Sequence, residues 1–285
     1  MFNKICVRLV GGLGNQLFIY SFGFARAKKH GKNLLIDNVS GFGSRDKYGA
    51  VFALDSLQIK EELITNKSYG WLIANRYFWW LSKKLGFSHI ERDDSEYNKE
   101  IENIDLNFYQ GYWQSYLYFH EYKSQIKHNL KLVDTENSKI FSYKNQILNS
   151  ANSVAIGMRF YETFSGDSEE YDVSGEDFYI QAIKLIESKE TNLTYFVFSM
   201  NIDRAKKELS KIQNRNIIFI KPLLSLDDAK FDLYLMSLCN HYIISNSTMY
   251  WWSAYLGETE NSMVVVPCNG LKNEDALLPH WIKLK

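Results

Sequence analysis

Three cysteines in 285 residues, Cys6, Cys239 and Cys268, are too few and too scattered for a disulfide framework. They form no Cys-x-x-Cys pair, lie in strand-like or helix-like apolar runs, and read as reduced core thiols. The six histidines (30, 89, 120, 128, 241, 280) are equally dispersed and offer no ligand spacing, so no metal is expected. Only three prolines occur, all after position 220, and there is no low-complexity tract, internal repeat or coiled coil. Charge of one sign is also lacking: 33 basic and 33 acidic residues cancel, which removes the global field that draws nucleic acid. Nucleic acid is therefore not an expected partner. No run of eighteen apolar residues occurs, which excludes a membrane-spanning helix. The N-terminus enters a strand without the charged region and apolar core of a signal peptide, so the expected location is cytoplasmic.

What the chain does contain is a core. Apolar residues make up 46% and aromatic residues 15%, enough for one large or two medium domains. Most of the 7 tryptophans and 19 tyrosines are expected inside or half inside it. Residues 5–10 read as a strand, 15–29 as a helix whose last turn carries Arg26, Lys28 and Lys29 before Gly31, and 33–36 as a second strand. From 40 to 107 the pattern is irregular except for an apolar helix over 69–85 carrying Trp71, Tyr77, Phe78, Trp79 and Trp80. Such a helix is buried or, with an exposed face, suits a lipid-linked substrate or a membrane surface.

The second half is more regular. Strands over 154–158, 194–199, 216–220, 241–245 and 263–267 alternate with helices over 176–188, 203–212, 226–239 and 249–256, the third begun by Ser225, Asp227 and Asp228. This alternation predicts a parallel sheet covered on both faces. The polar stretch 134–153 reads as a linker between two α/β halves facing a cleft.

The junction Gly11-Gly12-Leu13-Gly14-Asn15-Gln16, between the first strand and first helix, is where α/β proteins bind ligands. Three glycines in four positions permit a tight turn and a close approach, and the helix amides beyond them carry partial positive charge. Leu17 stands where a dinucleotide loop needs glycine and no Gly-Lys-Ser/Thr triplet follows, so both nucleotide fingerprints fail. Asn15 and Gln16 donate and accept, which suits sugar hydroxyls as well as phosphate oxygens. The alternative is a plain turn with polar caps.

Over 153–159, apolar Val154, Ile156 and Met158 alternate with Ser153, Ala155, Gly157 and Arg159, which puts Arg159 at the strand's carboxyl end. Its planar guanidinium suits a diphosphate unless it pairs with Glu162 or Asp167. Ser245-Asn246-Ser247-Thr248 follows a strand and opens a helix, a phosphate cradle in form and equally an ordinary N-cap cluster.

Four segments then resemble one family. Gly11-Gly12-Leu13-Gly14-Asn15-Gln16-Leu17-Phe18-x-Tyr20, Gly111-Tyr112-Trp113-Gln114-Ser115, Asp232-Leu233-Tyr234-Leu235-Met236-Ser237-Leu238-Cys239 and Ile243-Ile244-Ser245-Asn246-Ser247-Thr248-x-x-Trp251-Trp252-Ser253-Ala254-Tyr255-Leu256 resemble the bacterial α-1,2-fucosyltransferases of glycosyltransferase family 11, in order. The resemblance implies an α/β, GT-B-like fold of two Rossmann-like domains facing a cleft, with 1–150 on the acceptor side and 151–285 binding a GDP-sugar. It further implies inverting, metal-independent transfer without a cofactor. Carried over by position, Arg159 binds the donor diphosphate and stabilises leaving GDP, Asp232 contacts the nucleoside, and Asn246, Ser247 and Thr248 hold phosphate. Gly12, Gly14 and Asn15 line the donor from the facing wall, and Gln16 meets the acceptor.

Two departures stand out. The family's His-x-Arg-Arg-Gly-Asp-Tyr is here Gly157-Met158-Arg159-Phe160-Tyr161-Glu162-Thr163, so the imidazole and second arginine are missing, and Ser199-Met200-Asn201 replaces Ser-Asp-Asp. Glu162 falls at or beside the usual aspartate and is the candidate acceptor-activating base. The implied activity is transfer of L-fucose from GDP-L-fucose to the 2-hydroxyl of a galactose-like residue in surface polysaccharide or O-antigen synthesis. The acceptor would be an oligosaccharide or lipid-linked glycan, with peripheral contact at the inner membrane surface. The altered motif leaves two alternatives: a related GDP-6-deoxyhexose such as colitose, or a sugar-nucleotide-binding protein without catalysis.

Overall fold

Ile5, Cys6 and Val7 are buried in succession, the pattern of a strand covered on both faces, and the first strand of the chain runs through them. The computed structural model describes residues 3–42, 50–55, 57–66, 70–73, 75–91, 96–131, 138–160, 176–212, 214–222, 228–268 and 274–284. The chain divides into two units, Met1–Val133 with Asn273–Leu278, and Asp134–Lys272 with Pro279–Lys285.

The first unit contains β1 (Lys4–Arg8), α1 (Leu13–Lys29), β2 (Asn33–Asp37), β3 (Glu62–Leu63), α2 (Gly70–Ile73), α3 (Arg76–Lys84), β4 (Ser88–Ile90), β5 (Phe108–Gln110) and α4 (Lys123–Asn129). Its strands form a parallel sheet in the order β3-β2-β1-β5-β4. Helix α1 is buried along nearly its whole length, and Arg26, Lys28 and Lys29 meet the negative end of its dipole.

The second unit contains α5 (Ser138–Leu148), β6 (Asn152–Gly157), α6 (Glu176–Glu187), β7 (Leu193–Phe198), α7 (Ile202–Glu208), β8 (Asn216–Phe219), α8 (Asp228–Ser237), β9 (His241–Ile244), α9 (Thr248–Gly257), β10 (Val264–Pro267) and β11 (Ile282–Leu284). Its parallel sheet has the order β11-β10-β9-β6-β7-β8, which is the doubly wound order of nucleotide-binding folds. Val154, Ile156, Tyr195, Val197 and Ile243 form its core with Tyr179, Ile183 and Ile186 of α6.

The structure departs from the sequence reading in four places. The helix expected over 69–85 is two helices, because the Asn75 side chain accepts the Tyr77 amide at 2.9 Å and starts α3 anew. The stretch 40–107 holds β3 and β4, each too short to show a period. Within the expected linker 134–153 lies α5, whose buried Ile140 and Ile147 repeat at seven residues inside a polar stretch. It belongs to the second unit: the Lys144 ammonium lies 5.7 Å from the Tyr234 ring centre, and the Tyr143 hydroxyl accepts from the Lys221 amide at 3.4 Å. The expected boundary at 150 therefore differs from the division seen here, as does the return of 273–278 to the first unit. Finally, Cys6 and Cys239 are buried as expected, but Cys268 is exposed just past β10.

Candidate active site

In the second sheet β6 pairs with β7 on one side and β9 on the other, so the chain reverses direction across the sheet between β6 and β9. Loops leaving the carboxyl ends at such a reversal diverge and leave a crevice where ligands bind. Arg159 lies just beyond the carboxyl end of β6, and its amide donates to the Ser245 hydroxyl at 3.0 Å. The Ser245 amide in turn donates to the Gly157 carbonyl at 3.1 Å. Two residues on, the Ser247 side chain caps α9 by accepting the Tyr250 amide. The first amides of α9, the Thr248 hydroxyl and the half-buried Arg159 therefore share one strand edge. A helix start offers oriented donors and partial positive charge, and a guanidinium adds fixed charge, a combination suited to phosphate oxygens.

The same edge shows what fills the two altered positions. A Cβ at Gly157 would lie 2.6 Å from the Tyr250 ring, so the α9 aromatic takes the space beside position 157. The Tyr250 hydroxyl lies 3.2 Å from the Phe198 carbonyl and 3.4 Å from that of Met158, bridging the ends of β7 and β6. At the other altered position, the Arg204 guanidinium sits 4.2 Å over the Phe160 ring centre, in cation–π range, and is held by Glu208 at 2.9 Å. Arg204 is in the first turn of α7, directly after the carboxyl end of β7. A strand lacking its second arginine thus has a guanidinium from the neighbouring helix beside the residue that replaced it. Neither Tyr250 nor Arg204 was legible in the sequence; the one available signal was Gly157 itself, since a glycine ending a strand marks a close backbone approach.

Of the other second-unit positions, Asp232 is half-buried in the second turn of α8, which packs along α9. Asn246 is half-buried in the turn before α9. Asn201 is engaged as the cap of α7, accepting the Arg204 amide at 3.0 Å, while Met200 is exposed. Glu162 and Asp167 lie outside the described residues, as do Ser225 and Asp227.

The first unit has an equivalent reversal between β1 and β5. Gly11, at φ +71, makes the turn out of β1, and exposed Gly12 occupies the cap position of α1 without a capping side chain. Across the reversal, the Gln114 side-chain Nε2 donates to the Asn15 side-chain Oδ1 at 3.0 Å, so the first two sequence motifs meet. Trp113 anchors the second motif: its ring stacks on Phe22 at 3.9 Å and its backbone takes the left-handed φ of 54. Its amide donates to Glu91 at 3.2 Å. Burial, with Glu91 beside it, holds the neighbouring Tyr118 phenol well above its ordinary pKa, so that hydroxyl remains protonated.

Two expectations are corrected here. Gln16 is fully buried; its amide donates to the Gly11 and Val51 carbonyls at 2.8 Å and its oxygen accepts the Ala53 amide at 2.9 Å. It pins the glycine turn to residues 51–53 and does not present itself to an acceptor. Gly14 is buried inside the first turn of α1, which leaves Gly11, Gly12 and Asn15 as the accessible part of the loop. Among the described residues, no group of three or more His, Cys, Asp or Glu side chains is arranged to hold a metal ion.

The fucosyltransferase NodZ from Bradyrhizobium has a similar fold, with a TM-score of 0.55 at 14% identity over 88% of this chain and 91% of that one. Arabidopsis thaliana FUT1, solved with GDP, gives 0.57 at 13% identity over 92% of this chain and 70% of the other. The chain belongs to glycosyl transferase family 11, which it matches over residues 4–285, and is a glycosyltransferase. It is 27% identical over 302 residues to an α-1,2-colitosyltransferase of Escherichia coli, covering 99% of both chains. It is 24% identical over 318 residues to the O-antigen biosynthesis glycosyltransferase WbnK of the same species, covering 97% of this chain and 99% of that one.

Proposed function

We propose that the protein transfers L-fucose from GDP-L-fucose to the 2-hydroxyl of a galactose-like residue, inverting the anomeric carbon, during assembly of a surface polysaccharide such as an O-antigen. The observation that carries this reading is the tethering of Arg159 to Ser245 beside the start of α9, at the reversal point of the second sheet. The donor diphosphate rests against Arg159, with Asn246, Ser247, Thr248 and the first α9 amides as further donors, and Asp232 contacts the nucleoside. Arg204 adds a second positive charge near Phe160.

In the reaction the acceptor hydroxyl attacks the fucose anomeric carbon opposite the leaving group. The new C–O bond forms as the bond from that carbon to the phosphate oxygen breaks, and GDP departs with its added charge stabilised by Arg159. Glu162 takes the hydroxyl proton. Guanidinium groups stand in this scheme where other enzymes use a metal ion.

The second reading, with GDP-colitose as donor, is favoured by the full-length similarity to a colitosyltransferase. The two sugars differ at the 3-hydroxyl, and a site that hydrogen-bonds this group rejects the sugar lacking it. Each sugar nucleotide is offered over a panel of galactosides, with released GDP quantified and the product linkage determined by NMR. The first reading expects an α-1,2-fucosylated product. Turnover of GDP-colitose faster by about tenfold or more assigns the donor to the second reading, and no GDP release from either refutes both.

A further inference from the structure

More than half of the large apolar side chains that the described residues expose fall between positions 71 and 87. Tyr77, Trp80, Leu81 and Lys84 lie at i, i+3, i+4 and i+7 of α3, on one stripe of the helix, and all four are exposed. Trp71 from α2 and Phe87 just past α3 are also exposed, at 75% and 59%. This is not a helix that has lost its core. Its opposite face is fixed: buried Trp79 donates its indole N–H to Asp37 at 3.0 Å, the Ser82 hydroxyl donates to Ser88 at 2.9 Å, and Phe78 packs edge-on against Phe108 at 5.0 Å. Helix α3 therefore has an inner apolar face that packs on the sheet and an outer one in contact with solvent.

The charge carried by this segment has one sign. Residues 70–87 contain Arg76, Lys83 and Lys84 and no aspartate or glutamate, although the whole chain is neutral. Lys83 and Lys84 are exposed, and the Lys84 ammonium lies 5.5 Å from the Trp80 ring centre. Exposed tryptophan and tyrosine, short aliphatics and lysine on one helix face match the headgroup level of a bilayer, where rings sit among the upper acyl chains and ammonium groups meet lipid phosphates. A second copy of the chain fits less well. A two-fold contact sets the patch against a copy of itself, so that Lys83 and Lys84 meet a surface whose segment carries no carboxylate to neutralise them, and lysine is depleted from protein interfaces.

We propose that α3 with its flanking residues docks the first unit on an anionic lipid bilayer, with Trp71, Tyr77, Trp80, Leu81 and Phe87 entering the interface and Lys83 and Lys84 meeting lipid phosphates. Such docking keeps the enzyme at the surface where a lipid-linked acceptor would be carried.

The test is co-sedimentation of the full chain with vesicles of phosphatidylcholine alone or with one third phosphatidylglycerol, at low and high salt. Binding is expected to the anionic vesicles, weakening with salt, with a blue shift of tryptophan fluorescence. Lys83→Gln with Lys84→Gln lowers partitioning by about 25-fold, roughly fivefold for each lysine. Trp80→Ser with Leu81→Ser lowers it and removes much of the blue shift. Circular dichroism and thermal midpoints of the variants are compared with the parent, and since these side chains are exposed, folding is expected to persist. Absence of binding to anionic vesicles overturns the proposal. So does equal binding by parent and lysine variant, or a dimer in sedimentation velocity that Trp80→Ser with Leu81→Ser dissolves while vesicle binding is lacking.

Discussion

Gly157 and Tyr250 are a matched pair. The glycine allows the ring to lie against the end of β6, and the ring's hydroxyl bridges two strand ends. Gly157→Ala places a methyl 2.6 Å from the ring and is expected to cost about 1–3 kcal/mol as an overpacked position. In a Tyr250→Ala background the same change costs less, so the two effects are non-additive by about 0.5 kcal/mol or more in urea unfolding. Additive costs would show that the ring does not set the space at 157. Legibility at this scale followed reach. Arg159 and Ser247 were readable because strand alternation and helix-start chemistry are local rules. The role of Gln16 was not, because what uses its carboxamide is the backbone of Val51 and Ala53, in a stretch without a periodic pattern.

At the level of elements, the second-half strands were legible from apolar runs such as Tyr195-Phe196-Val197-Phe198 in β7, as buried parallel strands require, and from the shorter Val-Ala-Ile of β6. Helix α5 was obscured because two isoleucines seven apart carry too little pattern against eleven residues of mostly polar composition. The end of α6 shows how side chains join elements. The Arg215 guanidinium grips Glu187, with Nη2 at 2.9 Å from Oε2, and the Tyr195 hydroxyl donates to the same carboxylate at 3.2 Å. The Arg215 hydrogen bond outweighs partial burial and holds the Glu187 pKa below its ordinary 4.5. A depressed folded-state pKa contributes stability above the unfolded value, and that contribution fades as pH falls through the folded one. The stability difference between the parent and Arg215→Gln is therefore expected to be present at neutral pH and to shrink as the pH falls below 4.5. A difference independent of pH in chemical unfolding would contradict this coupling.

For the whole molecule, the α/β class was legible from the βαβ opening and from the alternation of strands and helices in the second half, where the parallel sheet follows from it. The return of 273–278 to the first unit was not. It rests on Ser115 donating to the Asp275 carbonyl at 3.0 Å and on the Tyr97 amide donating to the Asp275 carboxylate at 3.3 Å, both long-range contacts without a local signal. The central claim for the molecule is that the β6–β9 edge of the second sheet binds the donor diphosphate through Arg159. Calorimetric titration of GDP into the parent, Arg159→Ala and Arg204→Ala proteins tests it most directly. The account predicts that Arg159→Ala weakens GDP binding by about 2 kcal/mol or more, roughly 30-fold, and that Arg204→Ala has a smaller effect in the same direction. Unchanged GDP affinity in a folded Arg159→Ala protein would contradict it.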